Sequence, residues 1–114
     1  MNLADLIKNL DLKVFVGQPD PRRQADRGYV SDLLSDVMAN SQKDSLWVTM
    51  QIHPNIVAVA VLKELAAVIL VNGREPAAET VEKAEKEHVL ILGTSLPAFE
   101  LVGRLYGIGI KGNG

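Results

Sequence analysis

The feature that most constrains the fold is a regular alternation of apolar strand-like runs and helix-like segments between residues 46 and 108. The three runs are LWVTMQ at 46–51, AVILVNG at 67–73 and VLILGTS at 89–95. The second and third are almost uniformly apolar, as expected of parallel strands that are buried on both faces. A helical pattern follows each run, and this order predicts right-handed βαβ crossovers and a parallel sheet.

The part of the chain before residue 46 predicts two further helices and up to two further strands. Asn2 is the expected cap of the first helix, and Ser31 or Asp32 is the expected cap of the second. The segments are a helix over 2–10, a strand over 12–17, a possible short strand within 25–31 and a helix over 32–41.

The chain has 114 residues and shows no linker or internal repeat, so we expect one domain spanning 1–114. Its fold class is predicted to be α/β, with three layers and a mainly parallel sheet joined by βαβ crossovers. Only 4% of the residues are aromatic. The core is therefore expected to consist mainly of aliphatic side chains.

Composition narrows the function classes. The chain has no cysteine, which excludes disulfides, zinc–thiolate sites, iron–sulfur clusters and cysteine nucleophiles. The two histidines lie on different elements and form no metal-ligand spacing, so we expect no metal and no cofactor. No signal peptide and no run of 18 apolar residues is visible, so a soluble cytoplasmic protein without a membrane segment is predicted.

Charge is spread along the chain, with 12 basic and 14 acidic residues and a formal net charge of -2. The only basic cluster is PRRQADR at 21–27. Arg22, Arg23 and Arg27 either belong to a solvated loop or face an anionic ligand. Nucleic-acid binding is not expected, because it usually needs clustered cations together with stacking aromatics. We expect an ion pair between Asp26 and its neighbour Arg27; the alternative is that both side chains point into a binding cleft.

Polar residues gather where each of the three apolar runs ends and the next helix begins, at TMQIHPN, NGREP and GTSLP. In open α/β sheets ligands bind at the carboxyl ends of the strands, where helix N-termini offer free N–H groups. The alternative is that these residues only cap helices and close turns. The candidate ligand-binding residues are Thr49, Gln51, His53, Asn55, Asn72, Gly73, Arg74, Gly93, Thr94 and Ser95.

No set of residues qualifies as catalytic from the sequence. His53 is the tempting one, and an enzyme using it would need Thr94 or Ser95 within hydrogen-bond reach. His53 equally suits a helix start, and the other histidine closes a helix. No phosphate-binding loop of the form G-x-x-x-x-G-K-[ST] occurs, and GIGIKGNG at 107–114 is expected to be a frayed tail.

The segments GYVSDLLSDVMANS, VNGREP and ILGTSLPAFELVGRL together resemble a DRTGG domain, over nearly everything after residue 12. Such domains are similar in fold to the N-terminal domain of HPr kinase/phosphorylase, and they also occur beside CBS-domain pairs. The first segment resembles the stand-alone subgroup. The name-giving Asp-Arg-Thr-Gly-Gly motif is absent, because its corner here is TMQIHPNIV.

The resemblance implies a regulatory module without catalytic activity, not a kinase. We expect it to sense a small anionic or nucleotide-like ligand or to dock on a partner protein. The alternatives are a small enzyme using His53 and a scaffold that acts only through protein contacts. A homodimer is also expected, because RGYVSDLLSDVM carries Tyr29, Leu33, Leu34 and Met38, which is more apolar surface than a small core needs. The alternative is that all four residues belong to the core.

Overall fold

The computed structural model describes residues 1–112, which form five helices and five strands. The predicted tail over 107–114 therefore lies partly outside the described residues. In chain order the elements are α1 (Leu3–Leu10), β1 (Lys13–Val16), β2 (Gly28–Val30), α2 (Leu34–Asn40), β3 (Leu46–Thr49), α3 (Asn55–Leu62), β4 (Ala67–Leu70), α4 (Ala78–Glu87), β5 (Ile91–Gly93) and α5 (Ala98–Gly107).

The five strands form one sheet in the order β1-β5-β4-β3-β2. Strands β2 to β5 run parallel, joined by helical crossovers, and β1 pairs antiparallel with β5 at one edge. The predicted α/β class with a mainly parallel sheet is confirmed. The antiparallel direction of β1 matters for the site, because it places the beginning of β1 beside the end of β5.

Helices cover both faces of the sheet, which gives three layers. One face carries Val48, Ile69 and Leu92 and packs against α1 and α5. The other carries Trp47 and Val68 and packs against α2, α3 and α4. Successive strand residues point to opposite faces, so a uniformly apolar strand supplies both cores. Each fully buried aliphatic side chain contributes about 1.5–3 kcal/mol to folding.

The helix starts test the predicted caps. Asn2 caps α1 as expected, since its Oδ1 accepts a 2.8 Å hydrogen bond from the Asp5 N–H. The predicted cap of α2 is wrong, because the N-cap residue is Leu33. The Ser31 hydroxyl accepts from the Leu33 N–H at 3.1 Å, so it bonds to the N-cap residue itself and not to the first turn of the helix. The Asp32 carboxylate bonds instead to the end of β3.

One further local prediction is corrected. The expected ion pair between Asp26 and Arg27 does not form. Asp26 pairs with the N-terminal amine at 3.1 Å, because β2 begins beside the start of the chain. The Arg27 guanidinium donates instead to the Gly112 carbonyl at 2.8 Å.

No helix within residues 1–112 combines the length and the apolar character needed to cross a membrane. The fraying predicted over 107–114 is wrong for its described part, because α5 extends to Gly107, Ile110 is buried and Lys111 forms a parallel bridge with Arg27 beside β2.

Candidate functional site

The carboxyl ends of β3, β4 and β5 lie along one rim of the sheet, and the loops that follow them are hydrogen-bonded to one another. The Gly73 N–H donates to the Thr94 carbonyl, and the Asn72 N–H donates to the Leu96 carbonyl, both at 2.9 Å. The Asn72 amide also contacts the Met50 sulfur at 3.0 Å. The three corners predicted from the sequence therefore lie next to one another. Their side chains, however, do not all line the same cavity.

The Thr49 and Gln51 side chains are used to hold the corner together. Thr49 is buried, and its hydroxyl donates to the Asp32 carboxylate at 2.7 Å and accepts from the Gln51 N–H at 3.1 Å. The Gln51 amide donates to the Asp32 carbonyl at 3.0 Å. These bonds join the loops after β2 and β3, which is a structural role.

His53 and Asn55 are exposed at the start of α3. Within residues 1–112 no side-chain hydrogen bond joins the His53 imidazole to Thr94, Ser95 or any other residue. The imidazole also lies outside the cleft that Thr94 and Ser95 line. The geometry gives no support to an enzyme built on His53.

Five of the ten candidates do converge, on a cleft of about 330 Å³ that we call the rim cleft. It lies between the beginning of β1 and the loops that follow β4 and β5. Antiparallel pairing of Lys13 with Gly93 brings the two sides together. The lining residues are Asp11, Lys13, Phe15, Gly73, Arg74, Glu75, Gly93, Thr94 and Ser95.

The position of Phe15 in this cleft depends on Gly93. A Cβ atom on Gly93 would lie 3.1 Å from the Phe15 Cζ atom, with another ring atom closer still. Any side chain at position 93 would therefore force the ring to move from where it crosses the last residue of β5. The Lys13 ammonium lies 4.8 Å from the centre of the same ring. An aromatic face and a cation thus occur together in the cleft.

Most polar side chains of the rim cleft form no ion pair or hydrogen bond within residues 1–112. In the part of the chain that the structure describes, neither Lys13 nor Arg74 forms an ion pair with a carboxylate. Asp11 and Glu75 likewise have no cationic partner there. The Thr94 hydroxyl accepts from the Leu96 N–H at 3.2 Å, whereas the exposed Ser95 has no hydrogen bond within residues 1–112. Unpaired groups of both signs therefore face one cavity.

Sequence reasoning missed the contribution of β1 to this cleft. Asp11, Lys13 and Phe15 were recognised only as a loop and a strand, since a lone strand gives no sign of its direction or neighbour. The same limit applies to Asp32, which was expected to cap a helix. No group of three or more histidine, cysteine, aspartate or glutamate side chains within residues 1–112 is placed to hold a metal ion.

No protein-family model matches the chain, and no curated protein matches it. A solved structure is similar: the CBS and DRTGG domains of the regulatory region of Clostridium perfringens pyrophosphatase, complexed with the activator diadenosine tetraphosphate. The TM-score is 0.68 at 13% identity, over 91% of this chain and 45% of that one. The likeness supports a DRTGG-like fold, and the chain spans less than half of that protein's length.

Proposed function

We propose that the chain is a non-catalytic regulatory module that senses a small anionic, nucleotide-like ligand in the rim cleft. The observation that carries this proposal is the convergence of Lys13, Arg74 and the Phe15 ring on one cavity, with no carboxylate of residues 1–112 paired to either cation. The cations suit a phosphate group, and the ring suits a base.

The cleft chemistry favours a nucleoside monophosphate over a long polyanion. Asp11 and Glu75 also line the cavity, so its formal charge is balanced. Carboxylates accept hydrogen bonds from sugar hydroxyls and exocyclic amines, whereas they repel additional phosphates. The volume of about 330 Å³ is near the lower end of the range for ligand clefts, about 300–1,000 Å³.

The similar solved structure agrees with this class of function, since it is that of a regulatory region complexed with a nucleotide activator. At 13% identity that agreement is an analogy of fold. Kinship with the N-terminal domain of HPr kinase/phosphorylase remains a prediction.

Ligand binding is tested by thermal unfolding with adenosine and guanosine mono-, di- and triphosphates and with ribose 5-phosphate. A ligand at 100 times its dissociation constant adds about 2.7 kcal/mol of stability, which raises Tm by about 10 °C. The double variant Lys13→Ala, Arg74→Ala should lose this response. Its matched control is Lys8→Ala, Lys86→Ala, which removes two positive charges outside the cleft.

Two results would contradict the proposal. If no compound stabilises the wild-type chain, docking on a partner protein becomes the better account of a regulatory role. If a nucleotide stabilises the Lys13→Ala, Arg74→Ala variant as much as the wild type, the ligand binds elsewhere.

We also infer a homodimer and a cytoplasmic location, as the sequence predicts. Of the four apolar residues behind the dimer expectation, Tyr29 and Leu34 are half-buried against the core. Leu33 is 65% exposed and Met38 is 36% exposed, so these two supply the apolar surface that a second copy would cover.

A further inference from the structure

A second and larger cleft lies at the opposite end of the sheet from the rim cleft. This basal cleft measures about 820 Å³ and is formed by the loop before β2, the loop before β3 and the segment after α5. The Gly28 N–H donates to the Lys111 carbonyl at 2.8 Å, which fixes the last of these segments against β2. The lining residues are Asp20, Arg22, Arg23, Gln24, Asp26, Arg27, Lys43, Asp44, Gly109 and Lys111.

The three carboxylates of the basal cleft each already hold a cation. Asp44 pairs with Arg23 at 2.8 Å and Asp20 pairs with Arg22 at 3.4 Å, while Asp26 holds the N-terminal amine at 3.1 Å. The Arg22 N–H bonded to the Asp20 carboxylate keeps the pKa of that group below its usual value. These carboxylates are therefore satisfied within the protein.

Three cations of the cleft have no carboxylate partner within residues 1–112. Arg27 and Lys111 donate only to backbone carbonyls, those of Gly112 and Tyr106, and the Lys111 ammonium also lies 3.6 Å from the centre of the Tyr106 ring. The exposed Lys43 has no hydrogen bond or ion pair there. Five cationic side chains line the cleft against three anionic ones, whereas the whole chain carries a net charge of -2. Positive charge is thus concentrated at this end of the molecule.

The lining also shows what the cleft would not bind. It contains no apolar and no aromatic side chain. A base would find nothing to stack on, and a lipid or an apolar peptide would find nothing to pack against. Arginine and lysine without apolar neighbours suit a compact anion with several charges, and the planar guanidinium matches phosphate oxygens.

We propose that the basal cleft binds a short chain of phosphate groups, and that Arg27, Lys43 and Lys111 are the residues that bind it. This site is separate from the rim cleft and does not depend on the function proposed for it. The rim cleft pairs its cations with an aromatic ring and free carboxylates, whereas the basal cleft offers only surplus positive charge.

The test is isothermal titration of the full chain with inorganic tripolyphosphate, without divalent cations. The variant is Arg27→Gln, Lys43→Gln, Lys111→Gln. Its charge-matched control is Lys8→Gln, Lys83→Gln, Lys86→Gln. We expect the first variant to bind about tenfold more weakly or worse, and the control to bind like the wild type. Binding should also weaken between about 0.01 M and about 0.1 M salt, where the Debye length falls from about 30 Å to about 10 Å.

The single variant Lys43→Gln controls for misfolding, because the Lys43 side chain makes no hydrogen bond or ion pair within residues 1–112. This variant should still bind tripolyphosphate measurably more weakly than the wild type. The proposal is overturned if tripolyphosphate fails to bind the wild type at low salt. It is equally overturned if both triple variants lose affinity alike, because net charge alone would then explain the binding.

Discussion

The Thr49 hydroxyl donates a 2.7 Å hydrogen bond to the Asp32 carboxylate, which also accepts the Met50 N–H at 2.8 Å. This exposed carboxylate therefore links the loop after β2 to the end of the neighbouring strand β3. Thr49 itself is only 2% exposed, so its hydroxyl depends on this partner. Hydrogen bonds within the protein therefore account for most of the polar residues at the corner after β3.

Asp32→Ala should lower the free energy of unfolding by about 1–2 kcal/mol, because it leaves the buried Thr49 hydroxyl and the Met50 N–H without their acceptor. Asp32→Asn keeps an acceptor oxygen and should cost less. Urea unfolding followed by the fluorescence of Trp47, the only tryptophan, measures both. Equal stability of Asp32→Ala and the wild type would show that these bonds contribute nothing.

Gly93→Ala should destabilise the fold by about 1–3 kcal/mol, because the added Cβ would overlap the Phe15 ring. The double variant Gly93→Ala, Phe15→Ala should show a cost smaller than the sum of the two single variants. A thermodynamic cycle from urea unfolding measures this coupling. Strictly additive costs would mean that the ring does not rest on Gly93.

Gly103→Ala is the matched control for this glycine. Gly103 lies within α5, and nothing lies within 4 Å of an added Cβ. Alanine should therefore stabilise the helix, by about 0.5–1 kcal/mol.

The bond between Tyr29 and Asp36 predicts a pH dependence. The Tyr29 hydroxyl donates to the Asp36 carboxylate at 2.7 Å, which lowers the pKa of Asp36 and raises the pKa of Tyr29. The stability from Asp36 is present above its ordinary pKa of 3.8 and is lost as pH falls through the lowered value. The stability from Tyr29 is present below 10.0 and is lost as pH rises through the raised value.

Tyr29→Phe tests this pair, since it removes the hydroxyl and keeps the ring. The wild type should be more stable than the variant between about pH 4 and pH 10, and the gap should narrow on both sides. Urea midpoints measured from below about pH 4 to above about pH 10 test this narrowing. A gap that does not change with pH would mean that the two groups are not linked.

The sequence predicted the order of elements and the parallel core because both follow from short-range patterns. The uniformly apolar runs of β4 and β5 are typical of parallel strands buried on both faces. The sequence also predicted that the three polar corners lie along one rim, because parallel strands end on the same side of a sheet. Boundaries were less accurate, and the predicted strand 46–51 ends at Thr49, where the bonds to Asp32 begin.

The rim cleft could be predicted only in part. Gly73, Arg74, Gly93, Thr94 and Ser95 follow parallel strands and were expected to lie at its edge. The other wall depends on the pairing of β1 with β5, a contact between Lys13 and Gly93 that no local pattern encodes. Local sequence also cannot predict which polar side chains remain available to a ligand. Thr49, for example, bonds to a residue in a loop 17 positions away.

His53→Ala should change neither stability nor nucleotide binding. The imidazole is exposed, lines no part of the rim cleft and makes no side-chain hydrogen bond within residues 1–112. Such surface substitutions usually stay within about 0.5 kcal/mol of the wild type. The thermal-shift panel applied to this variant provides the measurement, and loss of the nucleotide response would restore His53 as a ligand-binding residue.

Light scattering at micromolar concentration should give about twice the chain mass of 12.4 kDa, because Leu33 and Met38 expose apolar surface beside α2. Leu33→Asp places a charge in that surface and should shift the protein to monomer, since burying an unpaired carboxylate between two copies is costly. Leu62→Asp is the control, because Leu62 is 69% exposed at the far end of α3. A wild-type monomer, or equal dissociation of both variants, would contradict an interface at Leu33.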